Sequence, residues 1–265
     1  MKLGLIGYGS IARSLIGMLP DEPAPQITVL VRPASLSKAL QMQAENAPQP
    51  TINFVTSRDA LLASRLSLVV ECAGHSAIVD HAEQIVAAGT DIVTASVGAF
   101  ADASLHARVS NTAETNGAKL IIPTGAIGGL DLLHVLSSNN AVHVTYRGIK
   151  PPAAWKGSPA EMRVNLDSLQ ERTVFFTGTG RAAALEFPKN ANVVAALALA
   201  GAGFDDMTVE LIADPKAQTN VHAYEVTSPL CSYKMEIENA ANSGNARTSA
   251  TTVLSILQEV MRHQS

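Results

Sequence analysis

Gly7, Gly9 and Ala12 follow directly on the apolar run Lys2-Leu3-Gly4-Leu5-Ile6 and open into the helix-like segment Ile11-Ala12-Arg13-Ser14-Leu15-Ile16. A strand, a glycine turn and a helix in that order suit the binding of a dinucleotide. The first glycine permits the tight turn, and the second lets the main chain approach a pyrophosphate. The small Ala12 lets helix and strand pack closely, and the helix N-terminus turns free N–H groups and a positive dipole end toward phosphate. Gly7, Gly9, Ser10, Ile11 and Ala12 are therefore the candidate cofactor-binding residues of this turn. About 20 residues beyond the glycines, a carboxylate would hold a ribose 2′-OH, but the sequence there reads Val31-Arg32-Pro33. Arg32 suits a 2′-phosphate or an adenine face, and it reads also as a solvated side chain covering a strand end. The expected cofactor is NAD or NADP, with Arg32 pointing to acceptance of the phosphate.

A second group of chemically capable residues lies in the other half of the chain. Strand alternation through Asn220-Val221-His222-Ala223-Tyr224-Glu225-Val226 places Asn220, His222, Tyr224 and Val226 on one face. A histidine on a rigid strand can serve as a base near neutral pH or polarise water. Spacing alone favours a core histidine satisfied by a backbone carbonyl, because His75, His81, His106, His134, His143 and His263 compete for any catalytic part. Phe187-Pro188-Lys189-Asn190-Ala191-Asn192-Val193 precedes an alanine-rich helical segment. Asn192 there is either a helix cap or an amide for nicotinamide or ribose, and Lys189 could meet a carboxylate. Thr177-Gly178-Thr179-Gly180-Arg181 reads as a glycine-bearing turn into a helix, with Arg181 a candidate carboxylate anchor.

The elements that must position these groups show two rhythms. Short β-branched runs at Ile27–Val31, Ile52–Val55, Leu68–Glu71, Asp91–Thr94 and 119–122 alternate with helical patterns such as 76–88. That is the pattern of a doubly wound parallel sheet buried on both faces. After the glycine-rich connector 123–129 the strands alternate apolar with polar, as in 207–213 and 232–238, which predicts a sheet with unlike faces. The fold class is thus α/β, with an N-terminal Rossmann doubly wound parallel sheet over 1–125 and a second α+β domain over 126–245 carrying a mixed or antiparallel sheet. The amphipathic segment 248–262 predicts a C-terminal helix, within 246–265, that packs back on the first domain.

Composition narrows the class of partner. With 265 residues, 47% hydrophobic, and a net charge of −4 without a basic block, the chain can bury a full core and carries no signature of nucleic-acid binding. The glycines and Arg13 near the start interrupt any leader-like core, and no apolar run approaches the roughly 18 residues of a membrane span. A cytoplasmic, small-molecule role without membrane partner is the expectation. Cys72 and Cys231 lack zinc-site spacing and read as buried small hydrophobes, and no metal is expected.

Six blocks taken in order carry a resemblance: Glu71-Cys72-Ala73-Gly74-His75; Ala95-Ser96-Val97-Gly98-Ala99; Gly125-Ala126-Ile127-Gly128-Gly129-Leu130-Asp131; Lys150-Pro151-Pro152 with Trp155; Phe187 to Val193; and Asp214-Pro215 with Asn220 and His222. Through these the chain resembles, nearly end to end, the L-aspartate dehydrogenase family, related in architecture to homoserine dehydrogenase and dihydrodipicolinate reductase. The resemblance implies that His222 is the active-site residue and that Ala126 and Asn192 contact the dinucleotide. It implies a homodimer formed through the second domain's sheet, and oxidation of L-aspartate to iminoaspartate, which water converts to oxaloacetate and ammonia. In some family members the imine feeds NAD biosynthesis. Family members more usually read Asn-Pro-Lys-Thr-Ser where this chain has Asn245-Ala246-Arg247-Thr248-Ser249, so Arg247 keeps a cation there with a different geometry. Lys189, Arg181 and Arg247 are the candidate cations for two substrate carboxylates. Two alternatives share the fold: a reductase of a semialdehyde or cyclic imine, and a non-catalytic NADP(H)-sensing module.

Overall fold

The computed structural model describes residues 2–22, 24–45, 51–138, 141–188, 191–240 and 250–263. The chain divides into two compact units, Met1–Pro123 with Thr252–Ser265, and Thr124–Thr251.

The first unit alternates strand and helix: β1 Lys2–Ile6, α1 Ser10–Ile16, β2 Gln26–Leu30, α2 Leu36–Glu45, β3 Ile52–Val55, α3 Arg58–Ala63, β4 Leu68–Glu71, α4 His75–Ala87, β5 Asp91–Thr94, α5 Ala103–Thr115 and β6 Leu120–Ile121. Among the described residues the strands form one sheet in the order β3-β2-β1-β4-β5-β6, and every pairing is parallel. This is the doubly wound arrangement expected, with the order reversing between β1 and β4, where such sheets open a crevice at their carboxyl ends. The central strands are apolar on both faces because helices cover both: β4 is buried throughout, and β1 and β2 are buried at all but their first residue.

The second unit comprises α6 Leu130–Ser137, β7 His143–Lys150, β8 Thr173–Thr179, α7 Gly180–Glu186, α8 Ala191–Leu197, β9 Thr208–Ala213, β10 Asn220–Thr227 and β11 Ser232–Asn239. Its sheet runs β11-β10-β7-β9-β8. β7 and β9 are parallel and the remaining pairs antiparallel, so the sheet is mixed. Its two faces differ, as the alternation requires. Tyr146, Val209, Leu211, Tyr224 and Val226 are buried on one, while Arg147 pairs with Glu210 and Lys234 with Glu225 on the other.

The chain then returns to the first unit as α9 Ala250–Arg262, whose Val253, Ile256 and Val260 share one core cluster with Leu3, Leu5, Ala12, Val29 and Val70. No helix among the described residues is long and apolar enough to cross a membrane.

Two sequence expectations are corrected, and two strands are added. β7 and β8 are strands that the pattern did not reveal, because Gly148 and Gly178 interrupt their alternation. The segment 177–181 is accordingly no free turn: β8 runs to Thr179, whose hydroxyl accepts from the Ala182 N–H and caps α7 directly. Cys231 is exposed between β10 and β11 and is not a buried hydrophobe.

Candidate active site

At the carboxyl end of β1 the chain turns through Gly7, whose φ is +88°. The Gly7 N–H donates to the Leu30 carbonyl at 2.8 Å. A Cβ at this position would lie 2.9 Å from the Ala73 Cβ and 3.2 Å from the Cys72 carbonyl, so both the backbone angle and the close approach require glycine. Gly9 is different: its backbone is extended, and a Cβ there would meet nothing within 4 Å. It is open on the side a ligand would take. Ala12 is fully buried in the core cluster and Ile11 packs beside it, so these two fix α1 on the sheet, with Ser10 in the helix's first turn.

Gly7, Tyr8 and Gly9 line a cleft of about 600 Å³ that continues past Arg32, Ser35, Lys38, Arg58, Ala73, Ser76 and His81. The Tyr8 hydroxyl and His81 Nδ1 are buried with no hydrogen-bond partner among the described residues. The cleft lining includes three cations, Arg32, Lys38 and Arg58, and the chain at the end of β2 offers Arg32 where a carboxylate would select ribose. The residues present fit a nicotinamide dinucleotide and suit one bearing a 2′-phosphate.

Glu71 explains two of the sequence blocks. Its buried carboxylate accepts from the Ala73 and Gly74 N–H groups at 2.6 and 2.7 Å, from the Ser96 N–H at 3.0 Å, and from the Ser96 hydroxyl at 2.9 Å. It thereby ties the β4–α4 loop, which lines the cleft, to the end of β5. Burial pushes its carboxyl above the ordinary value while these donors pull it back. Burial, and the neighbouring Glu71, also drive the Cys72 thiol well upward, so it is no nucleophile.

In the second unit, His222 pairs across the ladder with Gly148, and Tyr224 pairs with Tyr146. His222 Nδ1 lies 2.7 Å from the Tyr146 hydroxyl, the two rings being stacked at 6.0 Å between centroids. Burial, reinforced by the positive charge of Lys150, lowers the His222 pKa to about 4, so the ring is neutral at physiological pH. Lys150 ends β7 with its Nζ 4.9 Å from the Trp155 ring centroid, and the Trp155 indole N–H donates to the Ile212 carbonyl at 3.0 Å. The loop holding Ala126 is fastened to the same sheet by side chains. The Tyr224 hydroxyl donates to the Gly128 carbonyl, the Tyr233 hydroxyl to the Gly129 carbonyl at 3.2 Å, and the Asn239 amide to the Ala126 carbonyl at 3.3 Å. Gly129, at φ +68°, leaves room for this arrangement, since a Cβ there would come within 2.7 Å of the Tyr224 hydroxyl.

Asn192 is exposed in the first turn of α8. Arg181 is committed elsewhere: its guanidinium grips Asp205 with Nε and Nη2 at 2.8 Å each, over the Phe204 ring. That fork is filled by a carboxylate of the protein itself, which argues against a substrate-anchoring part. Lys189 and Arg247 lie outside the described residues. Sequence reasoning assigned no part to Tyr146, Gly148 or Lys150. Their strand was hidden by the glycine, and the alternation of Tyr146 with Lys150 about it was the available signal.

A dinucleotide cleft in one unit and a strand-borne neutral imidazole in the other are parts of a nicotinamide-dependent dehydrogenase, and to that class the fold and site assign the chain. Residues 7–123 match the family model for the NAD-binding domain of homoserine dehydrogenase, and residues 131–263 match that for the C-terminal region of aspartate dehydrogenase. L-aspartate dehydrogenase 2 of Bordetella bronchiseptica is 40% identical over 265 residues, covering 99% of this chain and 96% of that protein. L-aspartate dehydrogenase of Ruegeria pomeroyi is also 40% identical, over 97% and 90% of the two chains. The crystal structure of aspartate dehydrogenase from Thermotoga maritima superposes with a TM-score of 0.77 at 28% identity, covering 100% of this chain and 97% of that one. The chain belongs to the aspartate dehydrogenase family.

Proposed function

We propose that the chain oxidises L-aspartate with NAD⁺ or NADP⁺. The Cα–H leaves as hydride and the amine loses a proton, giving iminoaspartate and the reduced cofactor. Water then adds to the C=N bond, and ammonia leaves to give oxaloacetate. The observation that carries this reading is the likeness to proteins named L-aspartate dehydrogenase along the whole length, through both units. When bound, the nicotinamide supplies the hydride acceptor.

The chain's own part is to bind and orient. Gly7, Gly9 and the first turn of α1, Ser10 to Ala12, hold the pyrophosphate, with Glu71 keeping the neighbouring loop in place. Arg32, helped by Lys38 and Arg58, takes the 2′-phosphate of NADP. Ala126 and Asn192 meet the dinucleotide through their own unit. His222, with its side chain fixed on a central strand, faces substrate, and Lys150 supplies positive charge on the same face toward a dianionic amino acid. Lys189 and Arg247 are further cations for the carboxylates. A cytoplasmic homodimer, joined through the face of the second sheet that carries the Arg147–Glu210 and Lys234–Glu225 pairs, and a place supplying NAD biosynthesis complete the reading.

The test is to follow reduced-nicotinamide absorbance with purified protein, L-aspartate and each oxidised cofactor, and in reverse with oxaloacetate, ammonia and each reduced one. Turnover confined to this pair is expected. Turnover only on a semialdehyde or cyclic imine would replace the substrate, and tight cofactor binding with no turnover would leave a sensing module.

A further inference from the structure

The antiparallel register of β7 and β10 sets Gly148 opposite His222 and Tyr146 opposite Tyr224, so Tyr146 and His222 are diagonal neighbours on one face. The Tyr146 side chain leans along its own strand across Gly148 to reach the imidazole. A Cβ at Gly148 would lie 3.0 Å from the Tyr146 hydroxyl and 3.4 Å from its Cε1. The glycine opposite His222 thus leaves the space through which the phenol reaches His222 Nδ1, 2.7 Å away.

Tyr146 is 1% exposed, and its hydroxyl has no other partner among the described residues. A buried phenol keeps its proton, and an O–H proton in such a place needs an acceptor. Nδ1 is the acceptor within reach. In a neutral imidazole the nitrogen that accepts is the one without hydrogen, so the ring proton is on Nε2. We propose that Tyr146 is a positioning residue that holds His222 in the Nε2–H tautomer, so that the ring presents substrate with an N–H donor and no lone pair. This rests on the reading of His222 as the residue that faces substrate.

The consequence separates two roles that the residue types alone leave open. A ring protonated on Nε2 cannot take a proton from water at that atom. It donates a hydrogen bond to an anionic or developing oxygen, such as a substrate carboxylate or the oxygen that adds to the imine carbon. The electrostatics agree with a neutral donor. Lys150 is the charged group bearing on the ring. Arg147, Glu210, Glu225, Lys234, Glu236 and Glu238 alternate to the opposite face of the ladder.

The experiment is long-range ¹H–¹⁵N correlation of histidine-labelled protein at neutral pH, with the His222 signals assigned by their loss in His222→Gln. The expected pattern is a protonated Nε2 and an acceptor-type Nδ1. Tyr146→Phe, which keeps the ring and removes the donor, should convert this to a mixture of tautomers and lower kcat for L-aspartate about tenfold, with the KM for dinucleotide unchanged. Gly148→Ala, which crowds the hydroxyl by a few tenths of an ångström, should move both readouts the same way by a smaller amount. A wild-type spectrum with the proton on Nδ1 overturns the proposal, as does a tautomer pattern unaltered by Tyr146→Phe. If L-aspartate is not turned over yet the spectra are as expected, the tautomer assignment stands and the substrate reading falls.

Discussion

Around the Gly7 turn the main chain shapes the candidate site, whereas around His222 side chains are held by other side chains. The first region depends on absence of bulk: Gly7 has no space for a Cβ, and Gly9 has nothing above it. The second depends on presence: Tyr146 on His222, Tyr224 and Tyr233 on the glycine loop, Asn239 on Ala126. A main-chain site is generic, because any sequence that makes the turn makes the donors. A side-chain site is particular, because each group is oriented by partners far away in the chain. On the proposed reading, cofactor class resides in the first region and choice of substrate in the second.

The sharpest way to break this comparison is His222→Ala. If the second region serves chemistry and the first serves cofactor, kcat should fall by about 10²- to 10⁴-fold while dinucleotide affinity, read by fluorescence titration, changes less than about twofold. A comparable loss of cofactor affinity would mean that the division of labour is wrong.

The same contrast governs what could be read from the sequence. The glycine turn, the β-branched strands and Arg32 are local signals: strand, turn and helix adjoin in the chain, and their chemistry is contained in about 30 residues. The His222 environment is assembled by pairing residues 76 apart. Alternation showed which face His222 shares with Asn220 and Tyr224, but could not show what stands across the ladder. β7 was missed because an interior glycine reads as a break, and Gly148 makes sense only once Tyr146 is seen reaching over it. Arg181 misled for a similar reason, since its partner Asp205 lies 24 residues on, beyond two helices.

Acid sharpens the comparison, because the His222 environment charges itself only at a cost. The ring titrates near 4 in the folded chain against an ordinary value of 6.5, depressed by burial and by Lys150. Between those values the unfolded chain binds more protons, so stability from this group is complete above about pH 6.5 and is lost as pH falls toward 4. The loss from pH 7 to pH 5 should be on the order of 2 kcal/mol, lessened by the ring's partial exposure. Urea unfolding at both pH values should show a smaller pH dependence in His222→Gln than in wild type; equal slopes would place the histidine in water. In the loop above this sheet, Gly129→Ala should cost about 1–2 kcal/mol, from the positive φ and the overlap with Tyr224. Thermal unfolding that matches wild type would show that the loop is not fastened as described.

The smallest effect belongs to the main-chain region, and its smallness is itself informative. Arg32→Ala leaves Lys38 and Arg58 in the cleft lining, so two other cations would remain available to a 2′-phosphate. The expected result is a three- to tenfold fall in kcat/KM with NADP⁺ and less than a twofold change with NAD⁺. If both cofactors weaken equally, Arg32 acts on what they share, the adenine face, and the selection of phosphate belongs to Lys38 and Arg58. Gly7 offers the opposite case: on the proposed reading it holds the pyrophosphate common to both cofactors, so its replacement should penalise both alike. A main-chain turn can bind a dinucleotide without choosing between two, and the choice has to come from side chains added at the strand end.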